Sequence, residues 1–440
     1  MFPDYALGFL TIFGGLDNAL HDSLFDQNIY IDIGTNLLSG LGFVTSTDFW
    51  IAVPFQTTGI VSPIYPLFLA CIWSLCGYSL VFVRLIQVAL SITVVFITYD
   101  LACRLFSNRV GILAGIMTAI CPVLVMYVRP IMTETLFIPI IYLLIYISYF
   151  LATAPKWWHF LLFGIFGSLA CILRSEAFLL IPMLLFYLLI VKIIAKDHFK
   201  WYMYGIIAAA TLLVLLPYSL FNYKTQGSYL PIRNNKWAIW DFTWMAEMRD
   251  TPEWSNIALP ERRLVPDWDS KTEAERDLYL YNIAIDFIKE NPRTFLIQRV
   301  KNFQWAYPLL PLEMIDPPLG NRGQAIIPDG AQFGPTSLDD IVHYITPAEI
   351  IRVTYFRWVF LLTIPGCYLI LARRQWKQSI LVFTFLWNVI YVTLIFGKER
   401  YRIPVEPILI ILSSYSSIEI FSMAKEKIYL KNGKMHLILK

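Results

Sequence analysis

Charge is what this chain has least of. Asp, Glu, Lys and Arg make up 15% of its 440 residues, where a soluble domain carries about 25%. Apolar residues reach 57%, more than a water-soluble fold of this length covers. The net charge of +3 is too small to imply a nucleic-acid partner. Metal-type spacing is missing as well. Cys71, Cys76, Cys103, Cys121, Cys171 and Cys367 stand singly in or beside apolar runs, residues 221–352 hold no cysteine, and the five histidines are scattered. The cysteines read as small packing residues, and no metal or other cofactor is expected. There is no internal repeat and no low-complexity tract.

What is present is a series of long apolar runs. A helix crossing a bilayer needs about 20 apolar residues. Nine runs are predicted as helical spans: Ser79–Asp100, Gly111–Val128, Thr133–Ala152, Trp158–Leu173, Ala177–Ala195, Tyr202–Leu220, Val353–Leu371, Ser379–Phe396 and Pro404–Met423. The run Ile64–Cys76 is too short to cross comfortably and reads as an interfacial helix, with Pro63 and Pro66 at its start. The stretch Tyr5–Leu16 is also short and ends at Asp17, so the first helix reads as incomplete. The fold class is therefore an all-α polytopic membrane protein of about nine or ten transmembrane helices, with a mixed, mainly helical exterior segment. The chain divides into 1–78, an exterior N-terminal loop with interfacial helices; 79–220, a six-helix membrane region; 221–352, the exterior segment; and 353–440, three helices and a basic tail.

Loop charge orients the bundle. Arg104 and Arg109, Lys156, Lys192, Lys196 and Lys200, Arg373, Arg374 and Lys377, and the tail lysines from Lys425 to Lys434 all fall on one side. That side is cytoplasmic by the positive-inside rule. The exterior receives residues 1–78, the turns Arg129–Glu134 and Arg174–Glu176, the 221–352 segment and the loop 397–402. Within the segment, Thr272–Glu290 reads as an amphipathic helix with Leu278, Tyr281, Ile285 and Ile288 on one stripe. Asn291-Pro292 stops it, and a second helix follows over Thr294–Trp305. Both are expected to rest on the bundle's outer rim.

Chemistry-bearing residues gather on the exterior side. The N-terminal stretch is acidic, with Asp17, Asp22, Asp26 and Asp32. A carboxylate beside apolar helix ends suits a general base, since partial burial raises its pKa toward working pH. Solvated loop charges or helix caps are the other reading of these aspartates. Arg129 with Glu134, and Arg174 with Glu176, are charged turns that could equally meet water or headgroups. Lys398-Glu399-Arg400-Tyr401-Arg402 is dense in cations. Guanidinium groups hold phosphate with paired donors, so an anionic ligand and plain headgroup contact are both open there.

Four stretches carry a resemblance. They are Asp26-x-x-x-Tyr30 with Leu37…Gly40-x-Gly42-Phe43; Ser62-Pro63-Ile64-Tyr65-Pro66 with Val83-Arg84-Leu85-Ile86-Gln87; Thr133-Glu134-Thr135 with Leu173-Arg174-Ser175-Glu176; and Arg400-Tyr401-Arg402-Ile403-Pro404. Over most of residues 20–415 the chain resembles the polyprenyl-phosphate-sugar-dependent glycosyltransferases of superfamily C, the group of dolichyl-phosphate-mannose protein mannosyltransferases and lipid A aminoarabinose transferases. The resemblance implies a catalytic aspartate in the first exterior loop, which falls on Asp26. It implies exterior arginines on the lipid phosphate, which fall on Arg400 and Arg402, with Arg174 beside them. Tyr30, Arg129, Glu134, Glu176 and Tyr401 complete the expected substrate-binding set. The implied partners are a polyprenyl-phosphate sugar donor, an acceptor that is a protein, lipid or glycan, and membrane lipids. The implied location is a bacterial plasma membrane, with the site facing outward. Gln27 stands where a second acid is common, and Phe221 precedes Asn222-Tyr223 where an arginine is common. A transporter or flippase without bond chemistry, and an inactive relative serving as a scaffold, are the rival readings.

Overall fold

Apolar periodicity becomes helix throughout the computed structural model, which describes residues 16–196, 201–226, 236–248, 253, 260–308 and 347–431. In chain order the helices are α1 (Leu16–Leu38), α2 (Ile64–Cys76), α3 (Leu80–Leu105), α4 (Asn108–Ala119), α5 (Pro122–Met126), α6 (Glu134–Thr153), α7 (Trp157–Leu173), α8 (Ala177–Ile194) and α9 (Trp201–Gln226). After these come α10 (Trp237–Asp241), α11 (Trp244–Met248), α12 (Pro260–Leu264), α13 (Glu273–Glu290) and α14 (Pro292–Ala306). Last come α15 (Pro347–Ala372), α16 (Ser379–Leu394), a 3₁₀ segment (Glu399–Val405) and α17 (Glu406–Lys431). Among the described residues β structure is limited to two isolated bridges.

Among the described residues six helices are long and apolar enough to cross a membrane: α3, α6, α8, α9, α15 and α17. The count of nine or ten is not reached by that measure. Helices α2, α7 and α16 are apolar but have 13, 17 and 16 residues. At 1.5 Å per residue, α7 and α16 extend about 25 Å, short of a hydrocarbon core of about 30 Å. The run 111–128 is not one helix. It breaks between Ala119 and Pro122 into α4 and α5, because Pro122 has no N–H to continue the ladder.

Helices α6 and α17 form the centre, each with 56% of its most apolar window buried, against 17% for α3 and α9 at the periphery. Ile408 through Leu412 of α17 are all buried. Close crossings rely on small residues: a Cβ on Gly366 of α15 would lie 2.5 Å from the Leu412 carbonyl oxygen. Hydroxyls inside the bundle bond back to carbonyls four residues earlier, as Thr98, Thr118, Ser148 and Thr384 do. That satisfies them where lipid offers no partner.

The N-terminal region differs from the loop expected. Residues 1–15, with most of the stretch Tyr5–Leu16, lie outside the described residues, but Leu16–Leu38 is a 23-residue helix. Its four aspartates disguised it, since mean apolarity is low while Ile29, Ile33 and Gly34 recur on one buried side. Gly34 lets α2 approach closely, with Leu69 and Trp73 over it. Asp32 then pins the following loop by accepting from the Ser46 N–H at 2.6 Å.

The two helices expected over 272–290 and 294–305 form, with one error of face. Thr272 caps α13, its hydroxyl and Glu275 exchanging bonds with each other's backbone N–H, the capping box. The buried side of α13 is Glu273, Arg276, Asp277, Leu280, Ala284 and Phe287, not the Leu278 stripe, and Leu278 is exposed. Glu273 accepts from Thr58 and the Gly59 N–H, and Arg276 donates to the Ile51 carbonyl. These two buried charges fasten the loop that follows α1.

Candidate functional site

Three helix ends, the middle of α1 and one 3₁₀ segment converge at one end of the bundle. Asp26 lies on α1. Glu134 opens α6, where the helix's positive end favours a carboxylate. Arg174 ends α7 and Glu176 begins α8, two residues apart in a tight turn. Arg400 and Tyr401 lie in the 3₁₀ segment before α17.

The side chains link into a chain of alternating charge. Arg400 bonds both Asp26 and Glu134, which lie 374 and 266 positions away in sequence. Glu134 also holds Arg174 at 2.6 Å, and Arg174 bonds Glu176 in turn. Arg174 further donates to the Thr133 hydroxyl at 3.1 Å. The order is Asp26, Arg400, Glu134, Arg174, Glu176: three carboxylates and two guanidiniums. Glu134 is fully buried, while Asp26 keeps 19% of its side chain exposed. The chain therefore runs from the interior to an accessible carboxylate at its end. The bond to Arg400 uses Oδ2 of Asp26.

Aromatic rings wall this chain. Tyr401 stacks on Phe396 with centroids 4.5 Å apart, and the Arg174 guanidinium lies 5.3 Å from the Tyr401 ring centre. Tyr30, one turn beyond Asp26, meets Tyr65 edge-on at 5.1 Å. Burial raises the Glu176 carboxyl above its usual range, against the pull of Arg174, and its Oε2 has no hydrogen-bond partner. Burial also opposes the charge on Arg174, but Glu134 and Glu176 outweigh it and hold that guanidinium protonated.

Two residues of the expected set stand apart. Arg402 is 1% exposed and turns into the interior, bonding Glu406 at 2.8 Å, Glu399 at 2.7 Å and the Ala306 carbonyl. Its guanidinium lies 3.5 Å from the centre of the Phe356 ring. It ties α14 to α17 and lies outside the chain around Asp26. Arg129 is not among the partners of Glu134. Its carbonyl accepts from Arg84 Nε at 3.1 Å, and the two half-buried guanidiniums are close enough to repel. Among the described residues neither has a carboxylate in salt-bridge range.

Arg84 is a residue to which the sequence reading assigned no role. Its signal was present in Val83-Arg84-Leu85, a cation placed just inside the start of a strong span. Gln87, one turn on, accepts from the Tyr65 hydroxyl at 2.7 Å and donates to the Val128 and Pro130 carbonyls. Gln27, beside Asp26, accepts from the Ile131 N–H at 2.9 Å. The Arg129 turn is thus held against α1 by one side and against α3 by the other. Below it a small cleft opens between α3, α4, α5 and α6, lined mainly by apolar groups such as Val94, Val95, Leu124 and Ile138, with Glu134 among its lining residues.

Comparisons with known proteins bear out the resemblance to superfamily C polyprenyl-phosphate-sugar glycosyltransferases through a family model over part of the chain and a shared fold. Residues 60–220 match the sequence profile of the family described as dolichyl-phosphate-mannose-protein mannosyltransferase. The fold is shared with the Archaeoglobus fulgidus oligosaccharyltransferase in its apo form, at a TM-score of 0.50 and 14% identity over 93% of this chain and 48% of that one. The oligosaccharyltransferase AglB from Archaeoglobus fulgidus, in complex with an inhibitory peptide and a dolichol-phosphate, gives 0.50 and 12% over 94% and 48%. ArnT from Cupriavidus metallidurans bound to undecaprenyl phosphate gives 0.40 and 13% over 94% and 78%. The chain spans about half the length of the oligosaccharyltransferase. No curated protein sequence matches it.

Proposed function

We propose that this protein transfers a sugar from a polyprenyl-phosphate donor to an acceptor on the non-cytoplasmic side of the membrane. The observation that carries the reading is the joining of Asp26 to Arg400 and Glu134. Three segments far apart in sequence spend buried charge on one accessible carboxylate. In this reading Asp26 Oδ1 takes the proton from the acceptor hydroxyl. The acceptor oxygen bonds the anomeric carbon, and the carbon–oxygen bond to phosphate breaks on the opposite face. The polyprenyl phosphate leaves with the electron pair, and the anomeric centre inverts. Arg400 orients the base through Oδ2.

The leaving phosphate gains negative charge, so fixed cations near it lower the barrier. Arg400 is already engaged by two carboxylates, and Arg402 by two others. Arg129 and Arg84 are better suited, because an anion between them would relieve their mutual repulsion. The cleft below them has the apolar lining a prenyl chain needs. The basic loops at the other end of the bundle support an outward-facing site.

The test is transfer from a labelled polyprenyl-phosphate sugar by purified protein in lipid. A general base contributes about 10²–10⁴-fold to rate, so Asp26→Asn is expected to lose that much turnover with donor binding intact. Turnover near wild type removes Asp26 from the mechanism. Arg84→Ala and Arg129→Ala are expected to raise donor KM more than they lower kcat, and an unchanged KM returns the phosphate to Arg400. Translocation of the lipid without cleavage would mark a flippase, and binding alone an inactive scaffold.

A further inference from the structure

Helix α14 is inside-out for a helix in water. The face it turns to the bundle is Gln298, Arg299, Asn302 and Ala306, all buried. The face it turns outward is Arg293, Leu296, Ile297, Val300 and Lys301, at i, i+3, i+4, i+7 and i+8, all exposed. Leu296 and Val300 are 64% and 61% exposed. A surface helix in water keeps its apolar stripe inward. Three branched aliphatic side chains at the centre of the outer face therefore have another apolar medium beside them.

The position of α14 says which medium. Arg299 donates to the carbonyl of Leu394, the last residue of α16, and to that of Phe242. Asn302 reaches the Thr393 carbonyl, at 3.5 Å. So α14 lies across the end of α16, at the level where that apolar helix stops. On α16, Leu386, Ile390 and Leu394 form an exposed stripe at four-residue spacing, the surface an apolar helix presents to lipid. That stripe ends where Arg299 anchors α14, and Leu296 and Val300 carry it onward. The cations Arg293 and Lys301 flank the apolar centre, where long basic side chains reach lipid phosphates while their stems stay in the acyl region.

We infer that the outer face of α14 lies in the lipid–water boundary at the site end of the bundle, with Leu296, Ile297 and Val300 among acyl chains and Arg293 and Lys301 on headgroup phosphates. This seat is independent of the transferase reading.

The test uses the full chain in lipid nanodiscs, with a keto-bearing amino acid at Ile297 coupled to a nitroxide. A second sample carries the label at Asp286 on α13, whose side chain is 67% exposed, as the aqueous reference. At 297, collisions with dissolved oxygen are expected to exceed those with a water-soluble nickel chelate, and the order is expected to reverse at 286. Nickel access at 297 equal to that at 286 overturns the inference by putting the face in water. Shielding from both reagents also overturns it, because a protein surface then covers the face. The same label at Val300 reads the same face if the first position expresses poorly.

Discussion

Glu134 should matter more to stability than to chemistry, and Asp26 the reverse. Glu134 is fully buried between two guanidiniums whose side chains are 6% and 14% exposed. Glu134→Gln keeps the shape and removes the charge. Arg174 retains Glu176 and Arg400 retains Asp26, so neither is stripped bare and the loss does not double. Removing one partner of a buried pair costs about 3–5 kcal/mol. Unfolding entropy of about 2.1 cal/mol/K per residue over 440 residues gives about 0.9 kcal/mol/K, hence a drop in Tm of about 3–5 °C. Helices that persist in the unfolded membrane state reduce that entropy, which makes the shift a lower bound. Asp26→Asn removes only a partly exposed charge-assisted bond, worth about 1.5–3 kcal/mol at most. Thermal melts of both variants in nanodiscs, with transfer rates beside them, make the comparison. If Glu134→Gln melts with the wild type, the alternating chain of charges is not a structural strut.

Gly397 precedes the arginine segment, and a Cβ there would overlap the Cα of Asn302 on α14. Gly397→Ala should therefore shift the loop that carries Arg400 and lower turnover, with a smaller effect on Tm. An unchanged rate means the loop absorbs the methyl. Glu176, raised by burial, binds its proton more tightly in the folded state than in the unfolded one. Its contribution to stability is complete below the ordinary carboxylate range and is lost as pH rises through the raised value. Glu176→Gln should remove that fall, and melts of the two proteins that stay parallel across the acid-to-neutral range would contradict it.

Local pattern carried the helices and much of the site. Eight of the nine apolar runs are continuous helices within a few residues, because a 3.6-residue period and chain length are properties of each segment alone. The Arg174–Glu176 turn was legible because its partners are two residues apart. The break at Pro122 was visible as a proline, but the apolar residues on both sides hid it. Helix α1 was missed because four aspartates mask its apolar side until α2 packs against Gly34.

Position in three dimensions decided the rest. The buried face of α13 contains Glu273 and Arg276 because Thr58, Gly59 and Ile51, more than 200 residues away, receive them. Nothing near them in sequence distinguishes those charges from solvated ones. Arg400 and Arg402 share one motif, yet one joins Asp26 and the other Glu406. A 3₁₀ turn sends side chains two apart in different directions, and only the packed bundle supplies the carboxylates on each side. The sequence by itself determined most of the apolar helices and which residues bear charge. Which charges meet depended on helix packing, since an ion pair forms where chain elements cross.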